Sequence, residues 1–328
     1  MRDELLRQAK RVVIKIGSSL IASRETGLSA ERIERLAGEI AEVRAQGREV
    51  LVVSSGAVVS GIKKLGLREY PKSLPLKQAA AAVGQSLLMW AYEKAFERLT
   101  LRVAQVLLTH EDLADRRRFL NARHTLTTLI KFGVIPIINE NDTVAVEEIR
   151  VGDNDTLAAQ VAHLVDADLL IILSDVDGLF TVDPRKDPTA ALIPLIPEIT
   201  EDIEQRAGMS STFEGTGGMA TKVRAAKKVG EYGVATLILN GTQRAVEALV
   251  RNGKSLLASG ILDITGHFDA GDPVTCAGPD GKECAKGLVN FSSEILTRIK
   301  GLKTADIQKI PGLQEYEEVI HRDNLVIL

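Results

Sequence analysis

The chain has 328 residues, which at roughly 100–200 residues per domain predicts about two domains. Apolar residues make up 45% and charged residues 26%, the usual balance of a globular protein with a sizeable core. With 41 Lys and Arg against 44 Asp and Glu, the net charge is −3. This balance argues against a protein that holds nucleic acid through bulk positive charge.

Neither a membrane nor an oxidising compartment is expected. No apolar run reaches the ~18–20 residues of a membrane span, and the charged first residues lack the apolar segment of a secretory signal. The chain has only two cysteines, Cys276 and Cys284, too few for a disulfide framework. We therefore expect a cytoplasmic protein.

Residues 11 to about 240 alternate between short apolar runs and helical patterns. Strands are predicted at 12–16, 49–53, 103–108, 134–138, 169–173 and 235–239. Helices are predicted from Ser29 onwards and over 75–98, 113–131, 155–166 and 219–232. Continuous apolar strands separated by helices predict an α/β domain, with a mostly parallel sheet sandwiched by helices.

The pattern of apolar and polar residues changes after Gly241. Short apolar runs at 260–264, 273–276, 287–291, 319–320 and 325–328 are separated by Gly, Asp and Pro. This pattern predicts a small, mainly β domain. We predict a first domain over 1–243 and a second over 244–328.

Two polar features lie within or directly after the first two predicted strands. Lys15 lies inside an apolar strand, where a charge is costly unless it meets a negative partner or its end reaches water. Ser55, Gly56 and Ala57 follow the second strand and open a helix. They form either a plain tight turn or a set of backbone N–H groups that can bind an anion.

Two dense Asn and Asp clusters stand only ten residues apart. Asn139 to Asp142 follows a predicted strand, and Gly152 to Asp155 precedes a predicted helix. Asp155 alone could be a simple N-cap, but the two clusters together favour a binding role.

Further polar residues follow the later strands. Ser174 and Asp175 directly follow the fifth predicted strand. Residues 215–222 supply a glycine loop, a helix start at Met219 and a second lysine, Lys222. Loops at the carboxyl ends of strands are where open α/β sheets bind ligands. Two lysines, several carboxylates and a glycine-rich helix start together indicate phosphoryl transfer.

Six segments in order carry a family resemblance: VVIKIGSS, VVSSGAV, IPIINENDTV, VGDNDTLAA, LSDVDGLFTVDPR and GTGGMATKVRAA. From about residue 10 to 240 they resemble the amino acid kinase family, and within it the kinases that phosphorylate the γ-carboxylate of L-glutamate in proline biosynthesis. The segments GKSLLASGI, GHFDAGDPV, GLVNFSSEIL and VIHRDNLVIL are similar to the PUA domain, better known from RNA-modifying proteins. The resemblance implies the amino acid kinase fold followed by a PUA-like domain.

The resemblance also implies roles for individual residues. Lys15 and Lys222 contact the transferring phosphoryl group, and Asp155 holds both lysines. The implied glutamate-binding residues are Ser55, Gly56, Ala57, Asn139, Asp142, Asp153 and Asn154. The implied nucleotide-binding residues are Lys15, Ser174, Asp175, Thr216, Gly217, Gly218, Met219, Ala220, Thr221 and Lys222.

The implied cofactors are ATP and Mg²⁺, with the metal bound mainly through the ATP phosphates and no protein metal site. No general base is needed, because a carboxylate is already ionised at neutral pH. The resemblance further implies feedback inhibition by L-proline, a homo-oligomer (a dimer or tetramer) and glutamate-5-semialdehyde dehydrogenase as the next pathway enzyme. RNA is not an expected partner.

The junction between the predicted domains departs from the family pattern. Family members carry a few tens of residues between the strand near Asn240 and the helix before Gly253, whereas here Gly241 runs almost directly into Arg244. Either this stretch is deleted or the sequence omits it.

Two alternative functions stay open from sequence. One is another member of the family, such as an acetylglutamate, aspartate or uridylate kinase, and the other is an RNA-binding or RNA-modifying protein. The two Asn and Asp clusters and the tail favour a glutamate kinase over the first alternative. The slightly acidic tail disfavours the second.

Overall fold

In the computed structural model, the described residues are 8–23, 25–145, 154–184, 187, 189–209, 218–242, 261, 263–277, 283–302, 307, 310, 319–320 and 325–327. The chain divides into two compact units, Met1–Leu249 and Val250–Leu328. The dividing point and the departure predicted near 243/244 both lie outside the described residues. The domain bounds 1–243 and 244–328 therefore stay a prediction.

The first unit is built on one six-stranded parallel sheet. In chain order its strands are β1 (Arg11–Ile16), β2 (Ala22–Ser23), β3 (Gly27–Leu28), β4 (Glu49–Ser54), β5 (Val103–Leu108), β6 (Ile135–Glu140), β7 (Leu169–Ser174) and β8 (Ala235–Asn240). The sheet order is β5-β6-β4-β1-β7-β8, and β2 and β3 form a separate hairpin that sequence reasoning missed. All six predicted strands are confirmed.

The helices of this unit are α1 (Ser18–Ile21), α2 (Ala30–Ala45), α3 (Ala57–Lys64), α4 (Leu74–Glu97), α5 (His110–Ala114), α6 (Arg116–Lys131), α7 (Asn154–Leu164), α8 (Glu201–Met209) and α9 (Met219–Gly230). Ser29 begins α2 as predicted, because its side chain accepts a hydrogen bond from the backbone N–H of Arg32. The single helix predicted over 113–131 is wrong. Asp115 has an extended backbone there, and its carboxylate accepts from the backbone N–H of Arg118 to begin α6 separately from α5.

Helices cover both faces of the sheet. On one face α6, α7 and α9 pack on Val13, Leu51 and Leu170, and on the other α2 and α4 pack together. Because side chains alternate along a strand, Lys15 shares the face of Val13 and points towards α7. Ser54, which lies opposite in register to Ile16, points towards α4, where its Oγ lies 2.9 Å from the hydroxyl oxygen of Tyr92.

The parallel direction of the sheet brings distant parts of the chain to one edge. All five strand pairs are parallel, so the carboxyl ends of the six strands lie at the same edge. Lys15 lies near the end of β1, and polar residues singled out from the sequence lie at or directly after the ends of β4, β6 and β7. This edge is where ligands bind in open α/β sheets.

The second unit is small and mainly β, as predicted. Its described elements are β9 (Pro273–Ala277), β10 (Glu283–Leu288), α10 (Ser293–Ile299) and β11 (Leu325–Ile327), with an antiparallel sheet in the order β11-β10-β9. Val289, Phe291, Leu296, Ile299 and Ile320 form its core. The run predicted at 260–264 forms no strand at its described residues 261, 263 and 264. No helix in the described parts of the chain is long and apolar enough to cross a membrane.

Helices α3 and α4 touch backbone to backbone. A Cβ atom at Gly84 would lie 1.7 Å from the carbonyl oxygen of Ala57, and one at Gly61 would lie 1.7 Å from that of Ala80. No side chain fits at that distance, so glycine at both positions permits this close approach. The crossing fixes α4 against the first turn of α3, directly after Ser55 and Gly56.

We expect Gly84→Ala to destabilise the protein by at least about 2 kcal/mol, because the backbones of α3 and α4 must separate to admit the methyl group. The matched control is Gly38→Ala in α2, where a Cβ atom meets nothing within 4 Å. That change should leave stability equal or raise it by up to about 1 kcal/mol, through the higher helix propensity of alanine. Urea denaturation measures both, and equal stabilities of the two variants would contradict the close crossing.

Candidate active site

One buried carboxylate holds two lysines at the carboxyl edge of the sheet. Lys15 Nζ, from β1, lies 2.6 Å from Oδ1 of Asp155 on α7, and Lys222 Nζ, from α9, lies 3.1 Å from Oδ2. The three residues are only 5%, 1% and 4% exposed, in the order Lys15, Asp155, Lys222. Asp155 is therefore the negative partner that Lys15 requires inside an apolar strand.

The charges of this cluster support one another. Burial raises the pKa of Asp155, but the ammonium groups of Lys15 and Lys222 and the hydrogen bond from Thr221 outweigh it, so that its net pKa lies below the usual value. The carboxylate stays ionised at neutral pH. The three charged side chains together carry one excess positive charge, which suits an anionic group such as a transferring phosphoryl.

The first turn of α9 is tied to this carboxylate through Thr221. Its Oγ1 lies 2.6 Å from Oδ2 of Asp155 and 2.7 Å from the carbonyl oxygen of Gly218. Gly218 precedes Met219, where α9 begins as predicted. Gly218, Met219, Ala220, Thr221 and Lys222 thus form the start of one helix, whereas Thr216 and Gly217 lie outside the described residues.

The carboxyl ends of β4 and β6 meet at the amide of Asn154. Its Nδ2 lies 3.0 Å from the carbonyl oxygen of Ser54, 2.8 Å from Oγ of Ser55 and 3.0 Å from Oδ1 of Asn139. The Oδ1 of Asn154 is buried and has no hydrogen-bond partner within the described part of the chain. A buried acceptor of this kind suits a ligand that brings a donor. Asp153, the neighbouring predicted residue, lies outside the described residues.

Gly56 turns the chain into α3. Its φ of +105° lies in the left-handed region, which residues with a Cβ adopt at a cost. Ala57 is the first residue of α3, so the prediction that Ser55, Gly56 and Ala57 open a helix is confirmed. The free backbone N–H groups of this first turn stand at the same edge as Asn154.

Asp142 is a buried carboxyl two residues beyond the end of β6. Burial, together with the charge of Glu140, raises its pKa to about 7. Such a group ionises fully when a cation approaches, because the cation compensates both effects. It therefore suits an ammonium group.

Ser174 ends β7, the strand that pairs with β1, and Asp175 follows it directly. The Oγ of Ser174 donates to Oδ1 of Asp175 at 3.2 Å, and Nδ2 of Asn240, at the end of β8, donates to Oδ1 of Asp177 at 2.8 Å. These polar groups stand on the β7–β8 side of Lys15, whereas Ser55 and Asn139 stand on the β4–β6 side. The edge thus has two polar regions with the Lys15–Asp155–Lys222 cluster between them.

Two contacts from α4 escaped prediction from sequence. Gln85 Oε1 accepts from Nδ2 of Asn139 at 2.9 Å, and Tyr92 contacts Ser54 as described above. The signal was present, since Gln78, Gln85 and Tyr92 interrupt an apolar helical pattern at seven-residue intervals. Without the fold, these residues look like the polar face of a surface helix.

Comparison with known protein families assigns both units. Residues 10–240 match the amino acid kinase family, and residues 242–326 match the PUA domain. The chain belongs to the amino acid kinase family. The predicted fold, an amino acid kinase domain followed by a PUA domain, is confirmed.

Full-length relatives narrow the assignment within the family. The glutamate 5-kinase of Geobacter sulfurreducens is 47% identical, with 100% of this chain and 100% of the relative aligned. That of Moorella thermoacetica is 46% identical, with 98% of this chain and 97% of the relative aligned.

Solved structures share the fold at low identity. Carbamate kinase from Giardia lamblia bound to AMP-PNP has a TM-score of 0.52 at 18% identity, covering 74% of this chain and 96% of that one. UMP kinase from Ureaplasma parvum has a TM-score of 0.52 at 17% identity, covering 74% and 95%. At these identities the likeness extends to the fold alone.

Asp142 should make folding stability depend on pH. Its pKa of about 7 in the folded protein exceeds the value near 4 of an unfolded chain, so the native state keeps a proton that the unfolded state loses. Wild-type stability should fall as the pH rises from about 4 to 7, by up to about 4 kcal/mol, and change no further above pH 7 through this group. Urea denaturation across this range measures it.

The variant Asp142→Asn cannot titrate and serves as the reference. Its stability relative to wild type should grow through the same pH window and then level off. A difference that stays constant with pH would contradict a raised pKa at Asp142.

Proposed function

We propose that the chain transfers the γ-phosphoryl group of ATP to the γ-carboxylate of L-glutamate and forms L-glutamyl 5-phosphate, the first step of proline biosynthesis. The observation that carries this proposal is the buried Lys15–Asp155–Lys222 cluster beside a group of buried acceptors. The full-length relatives, which are glutamate 5-kinases, support the choice of substrate.

The lysines act on the phosphoryl group. A carboxylate oxygen of glutamate forms the new bond to phosphorus while the bond to the bridging oxygen of ADP breaks and its electrons leave with ADP. Negative charges come together in this step, and Lys15 and Lys222 stabilise them. Asp155 keeps both ammonium groups in place, and no proton has to be removed from the attacking carboxylate.

The acceptors at the β4–β6 side recognise the amino acid. The carboxyl of Asp142 and Oδ1 of Asn154 take the α-ammonium group, which brings three donors. Ser55 and the backbone N–H groups at Gly56 and Ala57 suit a carboxylate of the substrate. Asn139 supports this site through its contact with Asn154, and we assign Asp153 here from the family resemblance.

The nucleotide occupies the other side of the lysines. Ser174, Asp175 and the segment from Thr216 to Lys222 contact ATP, with the start of α9 facing its phosphates. Mg²⁺ enters as part of the MgATP substrate, since it keeps several waters and prefers phosphate oxygens. Among the described residues, no group of three or more His, Cys, Asp or Glu side chains could hold a metal ion.

A substrate panel tests the proposed function directly. ADP release is measured with L-glutamate, N-acetylglutamate, L-aspartate and UMP at saturating MgATP. We expect L-glutamate to give the highest kcat/KM, since N-acetylglutamate has no ammonium group for Asp142 and Asn154. Higher kcat/KM for another member of the panel would contradict the proposal and favour that kinase instead.

We expect Lys222→Met to lower kcat by about a thousandfold or more, because the transferring phosphoryl group loses a cation that follows it. The matched control is Lys228→Met, an exposed lysine on the same helix, which should keep near-normal kcat. Circular dichroism checks that both variants are folded. A folded Lys222→Met protein with near-normal kcat would remove Lys222 from the mechanism.

Several further roles are proposed from the family resemblance. L-Proline shares the α-carboxylate and ammonium of glutamate, so we propose that it inhibits in competition with glutamate at Asp142 and Asn154. We also propose a homo-oligomer, and glutamate-5-semialdehyde dehydrogenase as the enzyme of the next step. The two cysteines of the chain support a reducing, cytoplasmic location.

A further inference from the structure

Helix α4 carries a stripe of three hydrogen-bonding side chains. Gln78, Gln85 and Tyr92 are spaced by seven residues, which is about two helical turns, and so lie along one side of the helix. Gln78 Nε2 donates to the carbonyl oxygen of Ala145 at 3.2 Å, Gln85 contacts Asn139, and Tyr92 contacts Ser54. Each therefore reaches a segment that follows or ends β4 or β6.

The middle contact begins a chain of amides. Asn139 Nδ2 donates to Oε1 of Gln85 at 2.9 Å, and Asn139 Oδ1 accepts from Nδ2 of Asn154 at 3.0 Å. Asn139 is only 3% exposed. Nδ2 of Asn139 thus faces Oε1 of Gln85 and its Oδ1 faces Asn154, whereas Nε2 of Gln85 is buried and has no partner among the described residues.

The amide of Asn154 has the orientation that matches that of Asn139. Nδ2 of Asn154 faces three acceptors, namely Oδ1 of Asn139, Oγ of Ser55 and the carbonyl oxygen of Ser54, so its Oδ1 must face the other way. This is the buried Oδ1 that lacks a partner within the described residues. If the amide of Asn139 turned over, its nitrogen would face the nitrogen of Asn154, and the two donors would conflict.

We propose that Gln85 is a positioning residue for recognition of the substrate's α-ammonium group. It holds the amide of Asn139, which joins the carbonyl oxygen of Ser54 in holding Nδ2 of Asn154, and Oδ1 of Asn154 is thereby held ready as an acceptor. Gln85 acts through these two residues and not by touching the substrate. This inference rests on the function proposed above.

Three variants of α4 distinguish this positioning role from direct contact with the substrate and from a general disturbance of the helix. Gln85→Met keeps the length of the side chain but removes the acceptor for Asn139. Gln85→Glu keeps an acceptor oxygen for Asn139, but it replaces the Nε2 donor with a second oxygen and adds a negative charge. Ser86→Ala changes the next, exposed residue of the helix and serves as the matched control.

The readout is the KM for glutamate set against the Ki of glutarate, which has both carboxylates of glutamate but no ammonium group. Gln85→Met should raise the KM for glutamate about tenfold, the effect of one lost hydrogen bond. The Ki of glutarate, the KM for ATP and kcat should each change by less than about twofold. Ser86→Ala should keep the wild-type KM for glutamate, and Gln85→Glu, which keeps the acceptor for Asn139, should raise that KM less than Gln85→Met does.

Three results would overturn the inference. They are an unchanged glutamate KM in Gln85→Met, an equal rise in the glutarate Ki, and a loss in Gln85→Glu as large as in Gln85→Met. The last of these would show that the acceptor oxygen of residue 85 does not determine recognition of glutamate. A wild-type chain that does not phosphorylate glutamate would instead contradict the proposed function, so the two failures are distinguishable.

Discussion

The carboxylate of Asp155 binds two lysine ammonium groups where almost no water reaches, and the rest of the site is arranged around it. Removing one partner of such a buried ion pair typically costs about 3–5 kcal/mol, because a charge is left without compensation. β1, α7 and α9 each contribute one member of the cluster. Any displacement of one of these elements would separate the charges, so the cluster constrains how α7 and α9 pack on the sheet.

The parallel sheet makes this arrangement possible. Lys15 and Lys222 are far apart in the sequence, yet both reach the carboxyl edge, one from a strand and the other from the start of a helix. The same edge gathers the ends of β4 and β6 on one side of the cluster and those of β7 and β8 on the other. A phosphoryl group passing between two substrates needs this layout, with cations in the middle and a binding region on each side.

Much of this could be predicted from the sequence, because the signals are local. Apolar runs located the six strands, Ser29 marked the start of α2, and a charge inside an apolar strand required a partner for Lys15. The break at Asp115 was missed because the helix prediction over 113–131 ran through it, although Asp is a preferred N-cap residue and a weak helix former. The close crossing at Gly61 and Gly84 depends on the distance between α3 and α4, and no local sequence pattern encodes that distance.

The sequence predicted which residues belong to the candidate site, but it did not predict which of them contact one another. Asn139 was expected to bind substrate, and the structure shows that its amide lies between those of Gln85 and Asn154. Thr221 was expected at the nucleotide, and its hydroxyl contacts Asp155. Contacts of this kind join residues that are distant in the sequence, so they emerge only once α4, α7 and α9 have been placed.

Single-turnover phosphoryl transfer by Asp155→Asn, with Asp202→Asn on the exposed face of α8 as control, tests the central claim most directly. The amide keeps the shape of Asp155 but removes the charge that holds both lysines. We expect a rate at least about a hundredfold below wild type, with a folded protein and MgATP binding retained. A rate within about threefold of wild type would show that the lysines do not depend on Asp155 for phosphoryl transfer.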